Sequence, residues 1–234
     1  MPKQSVMPSS QKNNRTSAIT IDGPAGAGKS TVAKALAKKL SFFYLDTGAM
    51  YRALTLKAMR AGLDLNDEES LVALAKETAF DFKGTAAAPV ITLDGKDVGD
   101  DIRTPEVTNN TYYIARIPAL RAVVVEAQQQ IGQMRDIVIE GRDTGTVVFP
   151  EADVKFFLDA KLEARSHRRA KDLKEAGRSV DIKNLKNEIQ QRDHSDQTRD
   201  TGALKKADDA IYIDSTDLTP EQTVEVMLKH IKNC

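Results

Sequence analysis

One cysteine occurs in the chain, Cys234. No internal disulfide can form, cysteine-rich metal sites and cysteine nucleophiles lose their main ligand, and a reducing, cytoplasmic setting is expected. Histidine is nearly as scarce, with His167, His194 and His230 the only three, so a zinc site is not expected. Long apolar runs are missing: Val123-Val124-Val125 and Ile137-Val138-Ile139 are far too short to cross a bilayer. Net charge is missing too. Lys and Arg number 34 and Asp and Glu number 34, so no global positive field draws the chain to a nucleic-acid polymer or an anionic membrane. The polar stretch from Met1 to Thr16 lacks the apolar centre of a secretory signal and reads as a disordered tail. No segment repeats at a fixed period. What remains, 234 residues with 41% hydrophobic and 29% charged, reads as a soluble globular protein of one domain with insertions or two small domains.

The most informative stretch is Gly23-Pro24-Ala25-Gly26-Ala27-Gly28-Lys29-Ser30. It follows the apolar run Ala18-Ile19-Thr20-Ile21 and leads into a helical pattern from Thr31 to Leu40, where Val32, Leu36 and Leu40 recur every fourth residue. In that context a glycine-rich turn becomes a phosphate-binding loop. Backbone N–H groups and the positive end of the following helix face a polyphosphate, Lys29 reaches its β- and γ-phosphates, and the Ser30 hydroxyl ligates Mg²⁺. Residues Gly23 through Thr31 are therefore the candidate ATP-binding segment, with Ser30 the metal ligand.

Short runs with the look of buried parallel strands are Ala18 to Asp22, Phe42 to Asp46, Asp136 to Glu140, Val154 to Asp159 and Ala210 to Asp214. Ligands bind at the carboxyl ends of strands in an open α/β sheet, which makes Asp22, Asp46, Glu140, Asp159 and Asp214 candidates for the site rim. A carboxylate there also serves as a simple helix N-cap. Two segments break the alternation. From about Phe80 to Val107, two β-like runs precede Asp94-Gly95, a tight-turn signal, and read as a small antiparallel insertion. From Leu162 to Arg199 charge dominates, Ile182, Leu185 and Ile189 keep helical spacing and Gly177 breaks it, giving a helical flap.

Leu45 to Arg52 leaves the second strand through Gly48, so Thr47 and Arg52 can project toward a second phosphate-bearing ligand. Gly141-Arg142-Asp143 does the same after the third strand: Arg142 suits a phosphate, and Asp143 suits an exocyclic amine. The flap adds Arg165, Arg168, Arg169, Arg192 and Arg199, with Arg192, Asp196 and Arg199 on one face if that part is helical. A mobile arginine-rich cover suits phosphoryl transfer, which needs positioning and charge neutralisation more than covalent help.

These residues resemble the bacterial cytidylate kinases. The likeness runs through Ile21 to Pro24, Leu45 to Arg52, Ile102-Arg103-Thr104-Pro105-Glu106-Val107, Gly141 to Pro150, Phe157 to Ala160 and Asp214-Ser215-Thr216. It implies an α/β, three-layer P-loop fold with a five-stranded parallel core sheet, an antiparallel CMP-binding insertion and a helical lid. The corresponding division is tail 1–16, core 17–79, insertion 80–122, core 123–160, lid 161–202 and core 203–234. It implies a monomeric enzyme acting on ATP with Mg²⁺ and on CMP or dCMP. Thr47, Arg121, Asp143 and Arg199 would then surround the base, Arg52 and Arg142 would hold the acceptor phosphate, and Arg192 with Asp196 would contact the ribose. Catalytic roles would fall on Lys29, Arg165, Arg169 and Arg192. The chain departs from the family pattern in placing Tyr112 where many members carry a serine, and in following Arg199 with Asp200-Thr201-Gly202-Ala203-Leu204 instead of an exit through Ala-Pro-Leu. The phosphate loop by itself leaves open a kinase for another small acceptor, such as UMP or shikimate, and a nucleotide-dependent switch. The guanine-reading sequence Asn-Lys-x-Asp is absent, which argues against the switch.

Overall fold

The computed structural model describes residues 16–86, 88–175, 177 and 179–232. The expected tail, apart from Thr16, and Cys234 lie outside the described residues. Thr16 donates its hydroxyl to the Gly132 carbonyl at 2.7 Å.

Five strands form one parallel sheet: β1 (Ala18–Asp22), β2 (Phe43–Asp46), β6 (Ile137–Gly141), β7 (Val154–Asp159) and β8 (Ile211–Asp214), in the order β2-β6-β1-β7-β8. These are the apolar runs read from the sequence, with β1 and β7 at the same bounds and the others shifted by a residue or so. Successive side chains alternate between faces, so both faces need cover. Ile19, Ile21, Val138 and Phe156 pack on one side with Val32 and Leu36 of α1 (Lys29–Leu40) and Val224 and Met227 of α8 (Pro220–Ile231). Leu45, Ile137 and Ile139 pack on the other with α2 (Thr47–Arg60), α3 (Glu68–Lys76), α4 (Pro105–Ala115) and α5 (Pro118–Met134).

The expected insertion is a three-stranded antiparallel sheet, β3 (Phe80–Thr85), β4 (Ala88–Leu93) and β5 (Lys96–Asp97). Asp94 and Gly95 join β4 to β5 with φ of 49° and 78°, the pair of positive values that a tight hairpin turn requires and that Asp-Gly tolerates. This sheet leans on the core through Phe82, whose ring meets Phe43 edge-on at 5.6 Å.

The flap is helical as expected: α6 (Leu162–Glu175) and α7 (Ile182–Gln197), with Gly177 between them at φ 74°. Leu185 and Ile189 join Ala170 in a small core of their own. Ile182 shares their spacing yet is exposed, at the first position of α7.

Candidate active site

The carboxyl ends of the sheet strands supply Asp22, Asp46, Glu140, Asp159 and Asp214. The strand-end carboxylates separate by role. Asp46 caps α2, accepting the Ala49 N–H at 2.9 Å, and pairs with Arg52 at 3.0 Å. Burial works to raise its pKa, but Arg52, the Ala49 N–H and Arg103 outweigh it and hold the carboxyl below its usual range. Asp22 accepts the N–H groups of Thr144 and Gly145 at 2.9 and 2.8 Å, fixing the π-helical turn Thr144–Val148 that follows β6. Asp159 and Asp214 accept local N–H groups, from Ala160 and Thr216. Glu140 caps nothing. Its Oε1 accepts the Ser30 hydroxyl at 2.6 Å and the Tyr44 hydroxyl at 3.2 Å. Burial, then repulsion from Asp46, raises its pKa against the pull of Lys29.

In the phosphate loop, Lys29 is buried and folded back, its Nζ donating to the Pro24 carbonyl at 2.7 Å. Burial, followed by repulsion from Arg142, lowers its pKa to about 7, with Arg192 adding to the repulsion and Glu140 opposing it. Arg192 keeps contact with solvent, and its pKa is lowered too, first by the protein around it and then by Arg142, Arg52 and Arg169. The fold thus brings Lys29 within electrostatic reach of Arg142 and Arg192, and Arg192 within reach of Arg52, Arg142 and Arg169. Of these, Arg52 is held by Asp46 and Arg142 by Asp196, whose Oδ2 accepts the Arg142 Nε at 2.6 Å. Such a concentration of cations suits several anionic oxygens.

Beside it lies a second cluster. Arg121 and Asp143 form a buried ion pair, Arg121 also lies 5.5 Å from the Tyr51 ring centroid, and Thr47 donates its hydroxyl to the Glu140 carbonyl at 2.9 Å. Burial raises the Asp143 pKa to about 6, Arg121 working against it and Asp22 adding to it. Arg199 lies just past the end of α7 and pairs with Asp196. The altered exit from the flap comes back over this cluster. Gly202 has φ 66°, and a Cβ there would strike Arg121 and Asp143, so only glycine allows the backbone to lie this close. The Leu204 N–H donates to the Asp196 carbonyl at 2.7 Å, securing the exit. Tyr112 is half exposed on α4, edge-on to Tyr113 with Arg116 5.5 Å from its ring centroid.

The remaining flap arginines differ in what they face. Arg165 is buried, with Nε donating to the Ala160 carbonyl at 2.9 Å and Nη1 to the Ala25 carbonyl at 2.9 Å and to Asp193. Arg168 ties α6 to the carbonyls of Ala27, Ser215 and Thr216. Arg169 is exposed. The reading of the sequence assigned no site role to Asp193, Tyr51 or Gly202. Asp193 had one visible signal, a carboxylate directly after Arg192 and one turn before Asp196. Among the described residues no three His, Cys, Asp or Glu side chains cluster as a metal cage, and no helix is long and apolar enough to cross a membrane.

Comparison with known proteins places the chain in a family. The cytidylate kinase family model matches residues 19–233. A cytidylate kinase from Desulforamulus reducens is 47% identical over 214 residues, covering 92% of this chain and 96% of that one. One from Caldanaerobacter subterraneus is 46% identical over 219 residues, covering 94% and 96%. Among solved structures, an uncharacterized protein from Eubacterium ventriosum superposes with a TM-score of 0.53 at 13% identity, over 94% of this chain and all of that one, a likeness of fold alone. The family match spans both clusters, the phosphate loop and the flap, and the chain belongs to the cytidylate kinase family.

Proposed function

We propose that this enzyme transfers the γ-phosphoryl group of ATP to CMP or dCMP, giving ADP and CDP or dCDP. The observation that carries the reading is the pairing of clusters. Lys29 of the phosphate loop lies within electrostatic reach of Arg142 and Arg192, Arg192 in turn within reach of Arg52 and Arg169, and the Arg121–Asp143 pair lies under Gly202. The first suits the phosphates of two nucleotides. The second offers a carboxylate to the exocyclic amine of cytosine and a guanidinium to its ring acceptors.

In this reading ATP lies along Gly23 to Thr31, with Lys29 swinging from the Pro24 carbonyl to the β- and γ-phosphates. Arg52 and Arg142 hold the acceptor phosphate, Arg192 and Asp196 reach the ribose, and Thr47, Arg121, Asp143 and Arg199 surround the base. Arg165, Arg169 and Arg192 lie toward the transferred group. The residues at Ser30 fit Mg²⁺: a hydroxyl backed at 2.6 Å by the buried Glu140 carboxylate is a hard oxygen donor set. Ser30 with Glu140 would hold the ion, which when bound supplies charge neutralisation at the phosphates. The acceptor hydroxyl is not involved, since a phosphate oxygen of the acceptor attacks the γ-phosphorus directly. The chain's own contribution is alignment of the two phosphate groups, exclusion of water by α6 and α7, and electrostatic stabilisation of the equatorial oxygens. The segments 80–122 and 161–202 act as acceptor-binding insertion and lid on a monomer working in the cytoplasm.

The test is ADP formation from ATP and Mg²⁺ with CMP, dCMP, UMP, AMP, GMP and dTMP as separate acceptors. Turnover confined largely to CMP and dCMP is expected. Equal turnover with a purine acceptor overturns the assignment of Arg121 and Asp143 to the base.

A further inference from the structure

We propose that Asp193 is a positioning residue for Arg165, setting the direction of that guanidinium by gripping it together with the phosphate loop. The proposal rests on the kinase reading above and adds to it a residue that itself meets neither nucleotide.

The argument starts from the donors of Arg165. Its Nε–H goes to the Ala160 carbonyl and its Nη1 to both the Ala25 carbonyl and Asp193 Oδ2. Nη2 makes no hydrogen bond to a described residue, so two of the three guanidinium nitrogens are held and the third is left for a ligand oxygen. Asp193 does more than neutralise this side chain. Its Oδ1 accepts the Ala25 N–H at 3.1 Å, across 168 residues of chain. One carboxylate on α7 therefore holds a guanidinium from α6 and an amide of the phosphate loop together.

A buried charge used only as packing is a poor choice, since apolar side chains of similar volume do that at no desolvation cost. Asp193 is 9% exposed and Arg165 8%. The pair lies against Ala25 of the phosphate loop, where charge and direction both matter. One turn along α7, Asp196 makes the matching contact on the acceptor side, to Arg142. The two carboxylates give α7 a grip on each half of the site, and Asp193 belongs to the donor half.

The experiment is a double-mutant cycle in kcat, with Asp193→Asn and Arg165→Ala singly and together, using ATP and CMP. Arg165→Lys replaces Arg165→Ala if the latter fails to fold. Asp193→Asn is expected to lower kcat by about 10- to 100-fold, the usual cost of losing a supporting contact behind a functional group. The KM for CMP should stay within about threefold of wild type, because a pure kcat loss marks an interaction realised at the transition state. In the Arg165 variant the same substitution should cost less than about twofold, since two residues acting through one contact are not additive. Additive losses, or a kcat near wild type for Asp193→Asn, overturn the proposal. Wild-type turnover with another acceptor and none with CMP would defeat the acceptor assignment instead, and the cycle run with that acceptor would still decide the role of Asp193.

Discussion

Ser30 and Glu140 meet at 2.6 Å although 110 residues separate them. The hydroxyl comes from the first turn of α1 and the carboxylate from β6, so the contact exists only once the third chain segment to enter the sheet has taken its place beside the first. Glu140→Gln keeps the volume and loses the negative charge. Its kcat at limiting Mg²⁺ should fall by about 10- to 100-fold, with partial recovery as Mg²⁺ is raised, because groups behind a metal ligand tune its affinity by such factors. Steady-state rates across a Mg²⁺ titration check this, and an unchanged titration curve would remove Glu140 from the metal's surroundings.

Lys29→Ala should fold as wild type and lose most activity, by about 10²- to 10³-fold or more for a donor aimed at developing charge. Circular dichroism alongside turnover separates the two effects. Near-normal turnover would remove the phosphate-loop argument.

The same lysine should link ATP binding to proton uptake. Its folded pKa is about 7 against an ordinary 10.5, so the unfolded chain holds more protons between those values and stability rises with pH across that window. A bound triphosphate reverses the repulsion and favours the ammonium form. Near pH 8, calorimetry in two buffers of different ionisation enthalpy should therefore show proton uptake on ATP binding, absent in Lys29→Met. Equal enthalpies in both buffers would contradict it.

Asp143 carries the opposite sign. Its folded pKa is about 6 against 3.8, so the folded protein holds the extra proton between them, and this group's contribution to stability falls as pH rises from about 4 to 6 and stays low above. The ionised form, the one able to accept from a cytosine amine, prevails above pH 6. The KM for CMP should rise as pH falls below 6 while the KM for ATP changes little. Loss of that limb in Asp143→Asn, read from KM profiles between pH 5 and 8, is the expected signature.

Arg142→Ala should weaken CMP far more than ATP. Removing a charge-assisted contact costs about 1.5–3 kcal/mol, roughly 10- to 100-fold in acceptor affinity. Direct titration of each nucleotide reads the difference, and equal losses for both would move Arg142 to the donor side.

Much of the architecture was legible locally. The apolar runs became the five parallel strands, Asp94-Gly95 became a hairpin turn, and the spacing of Leu185 and Ile189 gave α7 its buried stripe. The candidate site was legible as residue types and less so as partners. Asp46 acts as cap and arginine partner at once, Arg168 spends its donors on backbone carbonyls, and Asp193 reaches Ala25 from a distant helix. Such contacts depend on how separate segments close in space, and periodicity along one segment carries no trace of them.

The strand order has a consequence for how the molecule comes into being. β1 lies at the middle of the sheet, and its neighbours on either side are β6 and β7, with Ala18 beside Ile137 and Ile19 beside Val154. While the chain is being synthesised, the first strand must wait for well over half of the polypeptide before either edge is paired. Such non-local closure is slow and leaves apolar edges open meanwhile. The phosphate loop hangs from that strand, so nucleotide affinity should emerge late on the ribosome and all at once, with the nascent chain inert until β7 has left the exit tunnel.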